Sequence, residues 1–367
     1  MNWKNCSTRT KISNSRPIWE YWNKNPNLTY NKGTLLIEKY ISFTVPSDSA
    51  ISTVGQVLRA QGHLTKKQIS RAKFLPDGIQ KNGIRCRITE FVLPGDEIQV
   101  CLETAETASE QLVSGDFSSL EILYEDQDIL AVNKPAGMLT HPSGAHYADT
   151  LSNQVAAYFQ DRQSDDMPNS QKASVRVRPI GRLDKETSGI VLFAKNQVAA
   201  QRLQAQREEH IFRKEYLAVV VGYLPEDPAD LWHTISFPVK KVSDHPLRMQ
   251  AVPDPNDNCH ADASLLPAVT HYCTLYSTAS WSLISLRLDT GRTHQIRVHM
   301  KALGHPLLGD TLYYEQKLDN FSVQSSFART ALHAWKVYFR QPFEGNEIRL
   351  TGTLPEDFRA IIPYLPL

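Results

Sequence analysis

The chain has no long apolar run: nothing in its 367 residues approaches the ~18 consecutive apolar positions that a membrane-spanning helix requires. Its start, MNWKNCSTRTKISNS, also lacks the apolar core of a secretory signal, so the expected location is the cytoplasm, with no membrane partner. Cysteine is scarce. The five residues Cys6, Cys86, Cys101, Cys259 and Cys273 are odd in number and scattered without a C-x-x-C pair, which excludes a disulfide framework and a zinc finger and leaves reduced thiols. Net charge is nearly absent too, since 40 Lys and Arg against 39 Asp and Glu leave +1. No internal repeat or low-complexity tract is present. What remains, 41% hydrophobic and 22% charged residues, is the composition of a globular protein with a sizeable core, long enough for more than one domain.

A near-zero sum argues against a nucleic-acid partner only if the charge is evenly spread. It is not. Residues 59–87 carry Arg59, Lys66, Lys67, Arg71, Lys73, Lys81, Arg85 and Arg87 against the single acid Asp77, a local +7, whereas residues 90–133 hold 11 acids and no Lys or Arg. A basic stretch alone is as readily a solvated face as a phosphate-binding one. This one has structure around it, however. In LTKKQISRAKFL the apolar residues Ile69, Ala72 and Leu75 recur three apart, with Thr65 as N-cap and Pro76 as stop, so a helix is expected with Lys66, Lys67, Arg71 and Lys73 off its apolar stripe. Next, Asn82-Gly83 sits between short strand-like runs as a hairpin signal, and Pro94-Gly95-Asp96 leads into the alternating strand EIQVCLE.

This order, a basic helix, K-N-G in a hairpin, then P-G-D-x-I-x-V, resembles the small RNA-binding module first described in a ribosomal small-subunit protein, the S-four type. The resemblance covers about residues 40–102 and implies that Lys66, Lys67, Arg71, Lys73 and Lys81 face RNA. The expected division is an aromatic N-terminal arm (1–37, with Trp3, Trp19, Tyr21 and Trp22), the small module (38–102), an acidic linker (103–118) and one large domain (119–367).

In the large domain, strands are expected at Ile129–Val132 and within SVRVRPI, GIVLFA, YLAVVVG, SLISLRL and ALHAWKVYF, and helices over Tyr147–Phe159 and Gln197–His210. Without regular alternation of strand and helix, the class is α+β with a mixed, mainly antiparallel sheet. Two segments carry candidate chemistry. RPIGRLDKETSG (178–189) places Arg182, Asp184, Lys185 and Glu186 on a loop between two strands, the kind of mounting on which catalytic groups concentrate. LDTGRTHQIRVHMKALGHPLLGD (288–310) allows a helix capped by Thr293, with Ile296, Met300 and Leu303 on one face and Gly304 ending it; its alternation also allows a strand. On either reading Arg292 and Arg297 approach one loop region, where an N-terminal helix turn could meet a phosphate. His294, His299 and His305 lack metal-binding spacing, so no metal is expected.

The ordered blocks LYEDQDILAVNKPAGMLTHPS, GRLDKETSGIVLFAKN, FRKEYLAVVVG, LDTGRTHQIRVHMKALGHPLLGD and ALHAWKVYF closely resemble the RluA/RluD-type pseudouridine synthases, across about residues 119–355. The resemblance implies an isomerase that converts uridines of structured RNA to pseudouridine by flipping the base out and breaking and remaking the bond to C1′. It implies no cofactor, ribosomal RNA in preference to transfer RNA, and action as a monomer. By the same resemblance Asp184 is the essential carboxylate, adding to C1′ or deprotonating C2′. Arg297 is its charge partner, Tyr216 is a catalytic residue that packs against the uracil or acts in proton transfer, and Arg182 fills the space left by the flipped base. Many members have His before R-L-D where this chain has Gly181, a residue more typical of the small-subunit-modifying synthases. The rival readings are an RNA chaperone without catalysis and a carboxylate glycosidase, the latter lacking an evident second acid beside Asp184.

Overall fold

The computed structural model describes residues 38–47, 53–62, 64–75, 77–103, 116–143, 146–162, 177–228, 231–243, 245, 247–253, 264–314 and 327–361. The aromatic arm, most of the acidic linker, Pro76, Val175, Cys6 and Cys259 lie outside them.

The N-terminal unit is β1 (Glu38–Thr44), α1 (Val54–Ala60), α2 (Lys66–Ala72), β2 (Ile79–Lys81), β3 (Ile84–Arg85) and β4 (Glu97–Glu103), with its strands in the order β1-β4-β2-β3. Local chemistry accounts for its corners. Thr65 starts α2 because its hydroxyl accepts the Gln68 N–H at 3.3 Å while the Gln68 side chain accepts the Thr65 N–H at 2.8 Å. Asn82 and Gly83 take φ of 52° and 80°, the mirror-type turn that matches the twist of a two-residue hairpin.

The larger unit begins with β5 (Glu121–Glu125), β6 (Ile129–Lys134), α3 (Leu151–Asp161), β7 (Arg178–Ile180), β8 (Ser188–Ala194), α4 (Gln197–Glu208) and β9 (Arg213–Val221). It continues through β10 (His233–Ile235), β11 (Val239–Lys241), β12 (Met249–Ala251), β13 (Thr270–Ser277), β14 (Trp281–Leu288), α5 (Gln295–Ala302), β15 (Leu332–Arg340), β16 (Glu347–Thr351) and α6 (Glu356–Ile361). Ten strands form one sheet, ordered β10-β13-β14-β9-β15-β8-β6-β5 with β16 added on β15 and β7 on β8. Every pairing in it is antiparallel except that of β15 with β8, so the architecture is the mixed, mainly antiparallel α+β one.

Helices α3 and α4 differ from their expected bounds. α3 begins at Leu151 rather than Tyr147, because Thr150 offers its N–H and hydroxyl to Asn153 Oδ1 and starts the helix there. α4 ends at Glu208, since His210 turns to a φ of 56°.

The core explains why β8 reads as an unbroken apolar run: all seven of its residues are buried, as in a strand covered on both faces. Val191 and Phe193 pack with Leu151 and Val155 of α3, while Ile190 and Leu192 pack with Val198 and Leu203 of α4. Tyr216, Leu286, Ile296 and Met300 share the cluster of α3, placing β9, β14 and α5 around the same core. The two units are joined by Arg202 of α4, which donates to Pro342 O at 2.8 Å and to Gly62 O at 3.2 Å.

The parallel contact depends on one glycine. Gly189 pairs with Ala334 at a φ of 113°, and a Cβ there would lie 2.2 Å from Ala334 O and 2.6 Å from its N. Gly189→Ala is therefore expected to destabilise the fold by at least ~3 kcal/mol, through backbone clash and strain together. Urea unfolding checks this; a wild-type midpoint would show that β8 and β15 do not approach this closely.

Candidate active site

The segment between β7 and β8 is tied down along its backbone. Thr140 donates its hydroxyl to Leu183 O at 3.0 Å and accepts the Leu183 N–H at 3.1 Å; Gly137 N–H donates to Lys185 O at 2.9 Å; Thr187 N–H donates to Asp184 O at 3.1 Å. Two cations reinforce it. Lys134, wholly buried at the end of β6, places Nζ 2.8 Å from Pro135 O, 2.8 Å from Met138 O and 3.1 Å from Lys185 O, which matches the three N–H groups of an ammonium. Burial pushes its pKa down to about 7, while the charges of Asp184 and Glu186 pull it up. Arg329 donates to Glu186 O at 3.2 Å and is itself gripped by Asp357 at 2.7 and 3.0 Å.

From this fixed backbone the Asp184 side chain remains 31% exposed, and among the described residues its one ion-pair partner is Arg297, whose Nη1 is 3.8 Å from Oδ2. Arg297 is held more tightly elsewhere. Its Nε and Nη2 each donate to Asp310 at 2.7 Å, in a buried bidentate pair, and the guanidinium lies 4.8 Å from the ring centre of Tyr313. Burial opposes the charge of Arg297, but the hydrogen bonds and charge of Asp310, then the charge of Asp184, raise its pKa above the ordinary value.

Arg297 is delivered by α5, which opens later than expected. Thr293 is not its N-cap; His294 is, at a φ of 56°, with Nδ1 2.8 Å from the Tyr313 hydroxyl. That hydroxyl also accepts the Met249 N–H at 2.8 Å, and burial lowers the pKa of the His294 imidazole. The tertiary bond to Tyr313 overrides the local capping preference of threonine. His299 and His305 are engaged by the carbonyls of Phe237 and Val221.

The other residues singled out in the sequence fall in three places. Tyr216 on β9 is buried beside the Asp184 loop; burial pushes its hydroxyl up to about 12, Arg207 drawing it down and Asp184 up, so the phenol stays protonated at neutral pH. Arg182 and Arg292 are exposed, and Arg292 donates to Pro267 O at 3.1 Å. Lys66, Arg71, Lys73 and Lys81 stand on the small unit, with Lys66 and Lys73 exposed; the Lys67 side chain lies outside the described ones.

Sequence reasoning missed Lys134, Thr140 and Asp310, although each lies inside one of the family-like blocks. A charged residue at the end of an apolar strand was the available signal for Lys134. Burial lowers Lys134 and Lys214 to about 7 from an ordinary lysine value of 10.5, so the folded chain releases these protons before the unfolded chain does. Stability is therefore expected to rise with pH from 7 toward 10, by up to ~1.4 kcal/mol per unit for each lysine. Lys134→Met should halve that rise and cost ~3 kcal/mol at neutral pH by depriving Pro135 O and Met138 O of their side-chain donor. Urea unfolding at several pH values checks both, and a flat wild-type profile would exclude titration of these buried lysines.

Residues 128–302 match the family model described as RNA pseudouridylate synthase. An RNA pseudouridine synthase of Bacillus subtilis is 33% identical over 80% of this chain and 88% of its own length. A ribosomal large subunit pseudouridine synthase D of Zymomonas mobilis is 35% identical over 67% of this chain and 73% of its own. The solved structure of human RNA pseudouridylate synthase domain containing 4 aligns with a TM-score of 0.51 at 24% identity, over 65% of this chain and 90% of that one, a likeness of fold. The matched stretch holds the Asp184 loop, β9 and α5 together, and with relatives of this identity and coverage the chain belongs to the RNA pseudouridine synthases, of the RluA/RluD type: isomerases that make pseudouridine from uridine in RNA.

Proposed function

We propose that Asp184 is the group that reacts with the ribose of the target uridine, and that the target lies in ribosomal RNA. The supporting observation is the contrast between two carboxylates on one guanidinium. Asp310 is 1% exposed and hydrogen-bonded to Arg297 through both oxygens, whereas Asp184 is 31% exposed and touches Arg297 through charge alone. An anion held in place with its oxygens open can add to C1′ or take the proton from C2′. In either case the C1′–N1 bond breaks, the uracil turns, and C1′ bonds to C5 as the Asp184–C1′ bond breaks or the proton returns from Asp184 to C2′; the C5 proton is then lost and N1 gains one. The protonated Tyr216 phenol offers the uracil a flat surface rather than a base. Arg182, exposed and next to the anchored Leu183, takes the space of the flipped base, which costs a few kcal/mol to unstack. Ribosomal RNA is favoured because several relatives carry the name ribosomal large subunit pseudouridine synthase D. The chain works as a monomer in the cytoplasm.

Asp184→Asn is expected to abolish pseudouridine formation, read by nucleoside chromatography of digested RNA, while RNA affinity and unfolding midpoint stay near wild type. Undiminished activity would overturn the assignment. Unmodified ribosomal and transfer RNA offered side by side test the substrate, and isomerisation confined to transfer RNA would reverse the preference.

The small N-terminal unit is proposed to supply affinity through Lys66, Lys67, Arg71, Lys73 and Lys81. Its attachment through Arg202 makes substitution a cleaner test than truncation. Replacing Lys66, Arg71 and Lys73 by Gln should flatten the dependence of log affinity on log salt by about 0.7–0.9 for each phosphate that the side chains no longer neutralise. An unchanged slope would leave the unit some other task.

A further inference from the structure

Arg207 is in the last turn of α4, and its guanidinium lies between the two loops that carry the site. A Cβ on Gly181 would be 3.6 Å from its Nη1, and a Cβ on Gly291 would be 3.4 Å from its Nη2. Those glycines immediately precede Arg182 and Arg292. Three other arginines of this domain are each engaged by an acid: Arg297 by Asp310, Arg329 by Asp357 and Arg287 by Glu215. Arg207 is different. Among the described residues its guanidinium has no hydrogen-bond acceptor and no ion-pair partner, although the side chain is partly buried.

A guanidinium removed in part from water and left unpaired is unfavourable unless an anion completes it. The anion that an RNA strand brings to this position is a backbone phosphate, and the planar fork suits its oxygens. The charge already reaches the site, since it acts on the Tyr216 hydroxyl. The two glycines matter because a Cβ at either position would already be in contact with the guanidinium. We propose that Arg207 grips a phosphate of the RNA strand at the mouth of the site, between Arg182 and Arg292, and that glycine at 181 and 291 keeps it uncovered. The inference rests on Asp184 marking the reacting end of that mouth.

The test uses the full-length enzyme and the unmodified RNA transcript that the wild type isomerises. Arg207→Gln should raise KM about tenfold with kcat within about twofold, and lower the slope of log affinity against log salt by roughly 0.7–0.9, the value for one phosphate. Arg207→Lys should keep the slope and recover only part of KM, because it retains the charge without the fork. Gly291→Val should raise KM as Arg207→Gln does, with no further rise in the double variant. Unfolding midpoints confirm that each variant is folded. Unchanged KM and slope in Arg207→Gln would overturn the contact, as would a fall in kcat at constant KM, which would mean that Arg207 acts through Tyr216 instead. Asp184→Asn run alongside separates the failures: activity retained there overturns the reading of the site, not the phosphate contact.

Discussion

A fully buried ammonium organises this site. Lys134 has no carboxylate within hydrogen-bond reach among the described residues, and its Nζ is satisfied by the carbonyls of Pro135, Met138 and Lys185. Leaving that amine without acceptors in the core would cost free energy whether it is charged or neutral, so its three acceptors hold the segment after β6 and the Asp184 loop together. The sheet makes this possible. Lys134 pairs with Gly189 in the β6–β8 ladder, and Gly189 in turn lies against Ala334 of β15, so the ammonium stands where the Asp184 loop enters β8. Packing and chemistry meet there: a change in the register of β8 would move its continuous core and the Asp184 backbone at once.

With the backbone fixed, selectivity among charges comes from hydrogen bonding. Arg297 has one guanidinium and two acids near it, and commits its fork to Asp310 while leaving Nη1 toward Asp184. The buried pair is a positioning device, since a bidentate bond fixes the plane of the guanidinium as well as its place. Stacking on Tyr313 and the His294–Tyr313 bond fix the start of α5 to the same ring. Asp184 therefore meets a cation that cannot swing away, and keeps its own oxygens free for a substrate.

Features written in adjacent residues were legible in the sequence. Thr65 as a cap, Asn82 with Gly83, and the apolar run of β8 each act over a few positions, so local physics dictated the helix start, the hairpin and the buried strand. The loop of Asp184 was legible for a related reason, as charged residues flanked by strands. What escaped was set by distant partners. Thr293 is the better local cap, but Tyr313 holds His294 instead; Asp310 read as the end of a block because its bond to Arg297 spans 13 residues of chain. Lys134 fell beyond the expected strand Ile129–Val132, and its acceptor on Lys185 is 51 residues away. Sequence spacing carries cations and acids into view but does not say which of them pair.

That distinction also revises what charge says about RNA. The +7 of residues 59–87 marks a basic stretch by position along the chain, and it belongs to the small unit, whose sheet is separate from the one that flanks the Asp184 loop. Around Asp184 the sum is uninformative, because Lys134, Arg297 and Arg329 are consumed by internal acceptors. A phosphate responds only to cations left over after such pairing. Arg182 is exposed and Arg207 is unpaired among the described residues, whereas Arg292 already has a carbonyl partner in Pro267. The electrostatic surface that RNA meets at the active site is thus drawn by the hydrogen bonds inside the fold, which a near-neutral total of 40 bases against 39 acids does not reveal.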